Sequence, residues 1–374
     1  MTPDPGQSAA TSPRYAIRDA VPLKILVLFA LVYLFILSIT LLGGSFKLLG
    51  GGFAQAIFRT TSHPIVGLVI GVVVTAIIQS SSTTTSLIVG LVASGVLSFE
   101  NAIPMVMGAN IGTTITNTIV SLASISRKEE FQRAYTASTV HDFFNICAVI
   151  VLLPLQLWFN IIGAVARWAE QFFEQFGGMT FASPLAVITK PVAGGIMHLT
   201  GDTGWLCVAI AFLLLFIALR YIVVVLKSMV LARVERFFQR YIFRTAALSL
   251  LLGIVLTSII QSSSITTSII IPLVAAGVIS VQQIYPYLLG ANIGTTVTAF
   301  LASFVTGSPE AVAVAFAHLI FNLFGMAIFW PLKVVPLFLA SKLGAAAARS
   351  KMIPIVYILI VFFLIPGVII LLTR

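Results

Sequence analysis

The stretch Ile-Ile-Gln-Ser-Ser-Ser-Thr-Thr-Thr-Ser at residues 77–86 returns at residues 259–268 as Ile-Ile-Gln-Ser-Ser-Ser-Ile-Thr-Thr-Ser. A second block, Gly-Ala-Asn-Ile-Gly-Thr-Thr at residues 108–114, returns unchanged at residues 290–296. Both blocks recur 182 residues further along the chain, so one offset relates the two pairs. Blocks that recur in the same order and at the same distance indicate an internal duplication.

A third block supports the duplication and also shows where the two halves differ. His-Asp-Phe-Phe-Asn at residues 141–145 returns as His-Leu-Ile-Phe-Asn at residues 318–322, which is 177 residues further on. A slightly shorter connection in the second half explains the smaller distance. Because Leu319 replaces Asp142, the halves are not chemically equivalent at this position.

The composition indicates that lipid surrounds most of the chain. Of its 374 residues, 59% are hydrophobic and 9% are charged, and the mean hydropathy is +1.11. A soluble domain has about a quarter of its residues charged. Apolar segments at 25–42, 206–225 and 353–372 approach or reach the roughly 20 residues that a membrane-spanning helix needs. We therefore expect an all-α polytopic membrane protein.

The segment at residues 64–95 is too short for two spans and too long for one. It predicts a re-entrant helical hairpin whose polar tip lies near the middle of the membrane, where protein or a water-filled cavity must surround it. Residues 244–277 predict the equivalent hairpin. A hairpin does not cross the membrane, so each repeat crosses three times and the second repeat is inverted relative to the first.

The basic residues support this topology. With a cytoplasmic N-terminus, 16 of the 21 Lys and Arg residues fall in the inside segments, as the positive-inside rule requires. The net charge of +10 is therefore explained by membrane orientation, and no nucleic-acid partner is expected.

The resulting organisation has five parts. They are a disordered N-terminus (1–20), repeat 1 (21–157), an interfacial helix with a linker (158–202), repeat 2 (203–331), and an interfacial helix with a final span (332–374). Aromatic residues at helical spacing among charges predict surface helices at 158–176 and 230–243. These segments are either arms that join a moving part to a fixed part or simple connectors.

The two tips are the candidate anion site. Buried polar groups cost several kcal/mol without partners, and hydrogen bonds between helices are one way to satisfy them. The density and duplication of these groups favour binding instead, because a broken helix offers free N–H groups and a positive dipole end to an anion. The phosphate-binding candidates are Gln79, Ser80, Ser81, Ser82, Gln261, Ser262, Ser263 and Ser264.

No Lys or Arg lies within either tip. Bound cations could supply the missing positive charge, and this would couple the two ligands directly. Hydroxyl and amide oxygens suit sodium, and glycines in the second block would permit an unwound backbone. The alternative for that block is a Gly-x-x-x-Gly packing face. The sodium-binding candidates are Thr84, Asn110, Thr113, Thr114, Asp142, Thr266, Asn292, Thr295 and Thr296.

Asp142 is the acidic residue that lies well inside an apolar segment. Intramembrane acids are usually cation ligands or proton carriers, although a local pair with His141 or Asn145 is the alternative. His141 and His318 are expected to hold structure through hydrogen bonds. Sodium is therefore the expected metal ion, with no transition metal and no cofactor.

The chain resembles the type II sodium-dependent phosphate cotransporter family over roughly residues 24–372. Residues 79–86, 108–118, 131–145, 261–268 and 290–298 carry the resemblance. It implies symport of divalent inorganic phosphate with sodium, by an elevator-like transport domain that moves against a scaffold domain. It also implies that Asp142 helps to bind an additional sodium ion, which makes transport electrogenic with about three sodium ions per phosphate. Another oxyanion or a dicarboxylate is the alternative substrate.

The chain also departs from that family. The connection between the halves lacks a large disulfide-bearing loop, and neither the last span of animal members nor a soluble regulatory domain follows residue 374. These features suggest a minimal bacterial member in the cytoplasmic (inner) membrane, with its oligomeric state left open. A serine hydrolase built from a tip serine, His141 and Asp142 is disfavoured because an enzyme needs one nucleophile, so no enzyme is expected. A channel fits inverted hairpins less well than alternating access does.

Overall fold

The computed structural model describes residues 21–61, 63–175, 183–241 and 245–373, and in these ranges it contains helices and turns but no strand. The N-terminal residues 1–20, predicted to be disordered, lie outside the described residues. The helices are α1 (Val21–Leu48), α2 (Gly50–Thr61), α3 (Pro64–Ile78), α4 (Ser81–Ala93), α5 (Phe99–Thr113), α6 (Ile115–Ser121), α7 (Lys128–Phe159), α8 (Ile161–Gln175), α9 (Ser183–Leu199), α10 (Gly204–Tyr241), α11 (Ala246–Ile260), α12 (Ser263–Ser268), α13 (Ile271–Ala275), α14 (Val281–Thr306), α15 (Pro309–Phe329), α16 (Val334–Ala347) and α17 (Met352–Leu372).

Within the described ranges, six helices are long and apolar enough to cross a membrane, namely α1, α7, α10, α14, α15 and α17. The protein is therefore a multi-pass membrane protein. Two crossings were predicted in repeat 1 after the hairpin at residues 64–95, and in the place of the first of them the chain forms α5 and α6, which are separated at Thr114. Helix α17 contains a π-helical turn at Ile360–Leu364.

Short helices occupy both segments that were predicted to form hairpins. In the first repeat α3 and α4 flank the tip, and in the second α11 is followed by α12 and α13. The corresponding glycines Gly95 and Gly277 lie just after these units, with φ angles of 76° and 74°. The second predicted hairpin begins one residue outside the described ranges, at residue 244.

Glycines bring the helices of each repeat into contact. Helix α3 packs on α5, and α11 packs on α14 in the same way. A Cβ atom at Gly108 would overlap the carbonyl oxygen of Leu68, and one at Gly290 would overlap that of Leu250. The predicted unwinding at these glycines is wrong, because α5 and α14 stay helical there and the space is used for packing. The packing alternative is confirmed.

The peripheral helices differ in part from the sequence predictions. The first predicted surface helix begins at Ile161, after Asn160 adopts a φ of 50°, so Trp158 and Phe159 belong to α7. Part of the predicted linker forms helix α9, which packs on α1. Residues 230–241 continue α10 and are not a separate helix. Residues 176 and 243, which ended the two predicted segments, lie outside the described ranges.

The helices form two groups by their contacts. Helix α10 packs mainly on α1, which α9 also contacts. The helices of the tips pack mainly on α5 and α14, and α4 of the first repeat packs on α14 of the second. This arrangement brings the two tips together and places α10 beside them.

Candidate functional site

The two tips have the same backbone conformation. Gln79 and Gln261 end their helices with φ angles of 56° and 60°, in the left-handed region that non-glycine residues rarely adopt. The next residues, Ser80 and Ser262, are extended and cap the following helices. The Ser80 hydroxyl accepts a hydrogen bond from the Thr83 amide at 3.2 Å. Each tip therefore ends one helix and begins another within two residues.

Both tips line one cavity of about 320 Å³. Six of the eight predicted phosphate-binding residues face it, namely Gln79, Ser80, Ser82, Gln261, Ser262 and Ser264. Ser81 and Ser263 do not line it and are buried at the first positions of α4 and α12. The first N–H groups of a helix have no acceptor within that helix. The cavity thus collects hydroxyl, amide and helix N-terminal groups from both repeats.

Two residues that line the cavity, Ser82 and Gln261, form with Thr298 a hydrogen-bonded group that we call the closed triad. The Ser82 hydroxyl donates to the Gln261 carbonyl oxygen at 3.0 Å, and the Thr298 hydroxyl donates to Gln261 Oε1 at 2.7 Å. The Ser82 and Thr298 hydroxyl oxygens lie 3.3 Å apart. These bonds join the first tip to the second.

The residues at the corresponding positions, which we call the open triad, are Ser264, Thr116 and Gln79. All three line the cavity. The buried Thr116 hydroxyl has no hydrogen-bond partner within the part of the chain that the structure describes. The closed triad is therefore bonded together, whereas in the open triad the Thr116 hydroxyl has no such bond among the described residues.

Asp142 is fully buried in a group of hydroxyls. Its Oδ2 accepts hydrogen bonds from Thr118 at 3.3 Å and from Tyr357 at 3.1 Å. Thr114 also lies near the carboxylate, but its hydroxyl donates to the Ile111 carbonyl at 2.7 Å. Among the described residues Asp142 Oδ1 and the buried Tyr135 hydroxyl have no partner. This oxygen-rich arrangement suits a hard cation.

His141 joins the two repeats. Its Nε2 lies 2.7 Å from Asn292 Oδ1, and Asn292 in turn donates to Asn145 Oδ1 at 2.8 Å. Its Nδ1 lies 3.4 Å from the amide nitrogen of Asn117, whose oxygen accepts from Thr267 at 2.9 Å. The predicted structural role of His141 is confirmed. The same prediction for His318 is wrong, because neither of its buried ring nitrogens has a hydrogen-bond partner among the described residues. Asp142 does not form the predicted alternative pair with His141 or Asn145, because its carboxylate accepts from the hydroxyls of Thr118 and Tyr357.

The remaining sodium candidates bond to carbonyls of their own helices, and the Thr266 hydroxyl also lies 2.7 Å from that of Thr257 in α11. The hydroxyls of Thr84, Thr113, Thr266, Thr295 and Thr296 donate to carbonyls three or four residues earlier, and the Asn110 amide donates to Val106. Their oxygens keep lone pairs for a cation. The structure brings Thr114 to Asp142 and Asn292 to His141, but it does not gather the other candidates at either place.

Sequence reasoning missed several residues of these sites. Arg220 lines the tip cavity; its position within the apolar segment at residues 206–225 was a signal of such a role. Thr116 and Thr298 could have been found from the repeat, since they occupy corresponding positions. Tyr135 and Tyr357 carried no such signal, because a tyrosine in a membrane segment is commonly an interfacial anchor.

A larger cavity, of about 780 Å³, lies away from the tips. Glu100, Arg167 and Glu310 line it, and Arg167 forms an exposed ion pair with Glu100 at 2.6 Å. Burial raises the pKa of nearby Glu170, and the neighbouring Glu174 and Glu310 raise it further. This cavity contains none of the tip residues, so its size does not make it the better anion site.

Comparison with known proteins gives the same family throughout. The model of the Na+/Pi-cotransporter family matches residues 34–182 and 213–345. Sodium-dependent phosphate transport protein 2A of Rattus norvegicus is 32% identical, with 93% of this chain and 67% of that protein covered. The Ovis aries protein of the same name is 31% identical over the same shares. Protein 2B of Homo sapiens is 30% identical, over 92% of this chain and 64% of that protein.

No solved structure matches the chain. The family match contains both tips, Asp142, His141 and the Asn292 segment. It covers more than half of the chain, and the relatives support it along nearly the whole length. The chain therefore belongs to the Na+/Pi-cotransporter family, a family of transporters.

Proposed function

We propose that this protein carries inorganic phosphate into the cell together with sodium ions. The observation that carries the proposal is the cavity in which the two duplicated tips meet. The names of the relatives, sodium-dependent phosphate transport proteins 2A and 2B, support the choice of phosphate and sodium. Phosphate binds between the tips, and sodium ions bind at neighbouring oxygen-rich positions.

The tips bind the anion through neutral donors. Serine hydroxyls, the Gln79 amide and the free N–H groups at the start of α4 all donate hydrogen bonds to phosphate oxygens. The positive end of a helix dipole favours the negative charge. Because these groups are neutral, bound sodium ions make the site more favourable for phosphate, and phosphate does the same for sodium by linkage.

Asp142 holds one of the sodium ions. Its Oδ1 and the nearby Tyr135 hydroxyl, which have no partner among the described residues, provide ligands together with the oxygen of Thr114. Thr118 and Tyr357 orient the carboxylate through Oδ2. The other predicted ligands, among them Asn110, Thr113 and Thr295, bind the remaining sodium ions through oxygen lone pairs.

The stoichiometry follows from charge. Moving a dianion into a negative cell costs about 2.3 kcal/mol per charge for every 100 mV. With about three sodium ions per phosphate the moved charge is positive, so the membrane potential drives uptake. Transport is therefore electrogenic.

Access to the site alternates between the two sides of the membrane. The tips belong to inverted repeats of an elevator-like transport domain, and α1 with α10 belongs to the scaffold domain. The distinct packing of these two helix groups supports the division. The protein lies in a bacterial cytoplasmic membrane with its N-terminus in the cytoplasm, an orientation that the distribution of Lys and Arg supports.

Uptake of radiolabelled phosphate into proteoliposomes tests the proposal. We expect uptake driven by an inward sodium gradient, absent with potassium and stimulated by an inside-negative potential. Equal uptake without sodium would contradict the coupling. Competition by unlabelled sulfate, arsenate and succinate tests the substrate. If unlabelled sulfate or succinate inhibits the uptake of labelled phosphate more strongly than unlabelled phosphate does, that anion is the preferred substrate.

A further inference from the structure

Arg220 is a charged residue inside an apolar span. It lies in α10, within the stretch Gly204–Met229 that is long and apolar enough to cross a membrane. A charged side chain within such a span is rare and usually marks a ligand pathway. Among the described residues Arg220 forms no ion pair with a carboxylate. Its charge therefore needs an explanation other than a salt bridge.

The position of Arg220 relative to the tips provides one. With Phe216, Leu219, Val223 and Val224 it forms the face of α10 that lines the tip cavity. Among the residues lining this cavity, Arg220 carries the single charged side chain. The opposite wall consists of the hydroxyls and amides of the two tips. A positive charge thus faces the neutral anion-binding groups across one cavity.

We infer that Arg220 contacts the transported anion and selects a doubly charged oxyanion. A guanidinium presents planar pairs of N–H donors that match two oxygens of one phosphate group. This inference rests on the proposed function and deepens it, because the neutral tips alone do not favour a dianion over a monoanion. The missing positive charge of the tips comes in part from α10.

The packing of α10 gives this contact a further consequence. Helix α10 packs on α1, whereas the helices of the tips pack on α5 and α14. An anion held by Arg220 and by the tips bridges these two groups of helices. Movement of the tips along α10 would break the guanidinium contact, and the loss of this contact would favour release.

Another explanation is that Arg220 extends towards the membrane surface, as long basic side chains do near span ends. Lys227 offers a matched control for this. It lies two helical turns further along the same face of α10 and is exposed, as Arg220 is, but it does not line the cavity. If positive charge on α10 acts in a general way, substitution of either residue will impair transport. If the charge acts by contact with the anion, substitution of Arg220 alone will do so.

The experiment measures the KM for phosphate at saturating sodium in proteoliposomes that contain wild type, Arg220→Gln, Arg220→Lys or Lys227→Gln. Loss of a charge-assisted hydrogen bond predicts a rise of about 10- to 100-fold for Arg220→Gln. Arg220→Lys keeps the charge without the paired donors, so a smaller rise is expected. Lys227→Gln should retain the wild-type KM. An unchanged KM in Arg220→Gln, or an equal rise in Lys227→Gln, overturns the inference.

Wild-type protein gives a test that does not depend on folding of the variants. Phosphate with sodium should slow the modification of Arg220 by phenylglyoxal, as read by mass spectrometry, but not that of the exposed Arg349. Equal modification of Arg220 with and without phosphate would contradict the contact. If wild type shows no sodium-dependent phosphate uptake, the proposed function fails; if it does and Arg220 is insensitive, this inference alone fails.

Discussion

The closed triad and the open triad contain the same residue types but differ in their bonds. Ser82 of the first tip donates to Gln261 of the second tip, and Thr298 of α14 donates to the same Gln261, whereas the Thr116 hydroxyl has no partner in the described structure. Since each triad has one serine, one threonine and one glutamine, composition does not cause the difference. It belongs to the conformation, and a state with the opposite arrangement is chemically equally possible.

A second difference between the repeats is chemical. Asn117 and Asp142 of the first repeat correspond to Ala299 and Leu319 of the second. His141 is therefore held on both ring nitrogens, whereas the buried His318 has no side-chain partner among the described residues. The Gln-Ser-Ser-Ser tips are alike in the two halves, whereas Asp142 and Thr118 occur in the first half and correspond to Leu319 and Phe300 in the second.

The largest effect is expected where the repeats are alike. Gly108→Val and Gly290→Val each place a side chain against a backbone carbonyl that cannot move aside. Overpacking of this kind costs about 3 kcal/mol, so both variants should lose the monodisperse folded protein in detergent. Gly367→Ala is the control, because its Cβ atom would meet nothing within 4 Å. Normal folding of either valine variant would contradict the close contact of α5 with α3 or of α14 with α11.

The next effect is expected where the repeats differ in charge. Asp142→Gly removes the carboxylate of one proposed sodium site and should abolish the current that phosphate induces in the presence of sodium. Phosphate uptake itself should persist at a reduced rate, because both tips remain. Leu319→Gly at the corresponding position is the control and should retain the current. An unchanged current in Asp142→Gly would exclude the proposed role of this residue.

The duplicated blocks made the tips and their short helices predictable. The period of 182 residues, the polar tips and the apolar segments are local features, and they identified six of the residues that line the cavity. The error at Gly108 arose because one glycine pattern suits both unwinding and close packing. Which of the two occurs depends on the neighbouring helix, and in this protein Leu68 of α3 occupies the space.

Contacts between the repeats could not be predicted from the sequence. The bond from His141 to Asn292 joins residues 151 positions apart, and that from Tyr357 to Asp142 spans 215 positions. Such pairs depend on how the helices pack, and no local pattern encodes that packing. For Arg220 the sequence contained a charge within an apolar stretch, but the tip cavity beside it became visible in the fold alone.

A smaller effect separates the two histidines. His141→Leu leaves the amides of Asn292 and Asn117 without their partner, so it should destabilise the protein by about 1–3 kcal/mol. His318→Leu removes a buried polar ring that has no side-chain partner in the described structure, and it should be nearly neutral. The apparent Tm of the two variants in the same detergent measures this difference. Equal losses would mean that both rings are equally well bonded.

The smallest effect tests the triads themselves. Thr298→Val removes the hydroxyl that bonds Gln261 and should weaken the closed triad by about 1 kcal/mol, which is about fivefold in population. Amide hydrogen exchange should then rise in peptides that cover residues 261–267. Thr116→Val removes a hydroxyl without a partner among the described residues, so exchange in the first tip should not change. Equal increases in both variants would show that the two triads are bonded alike, and the conformational difference between the repeats would disappear.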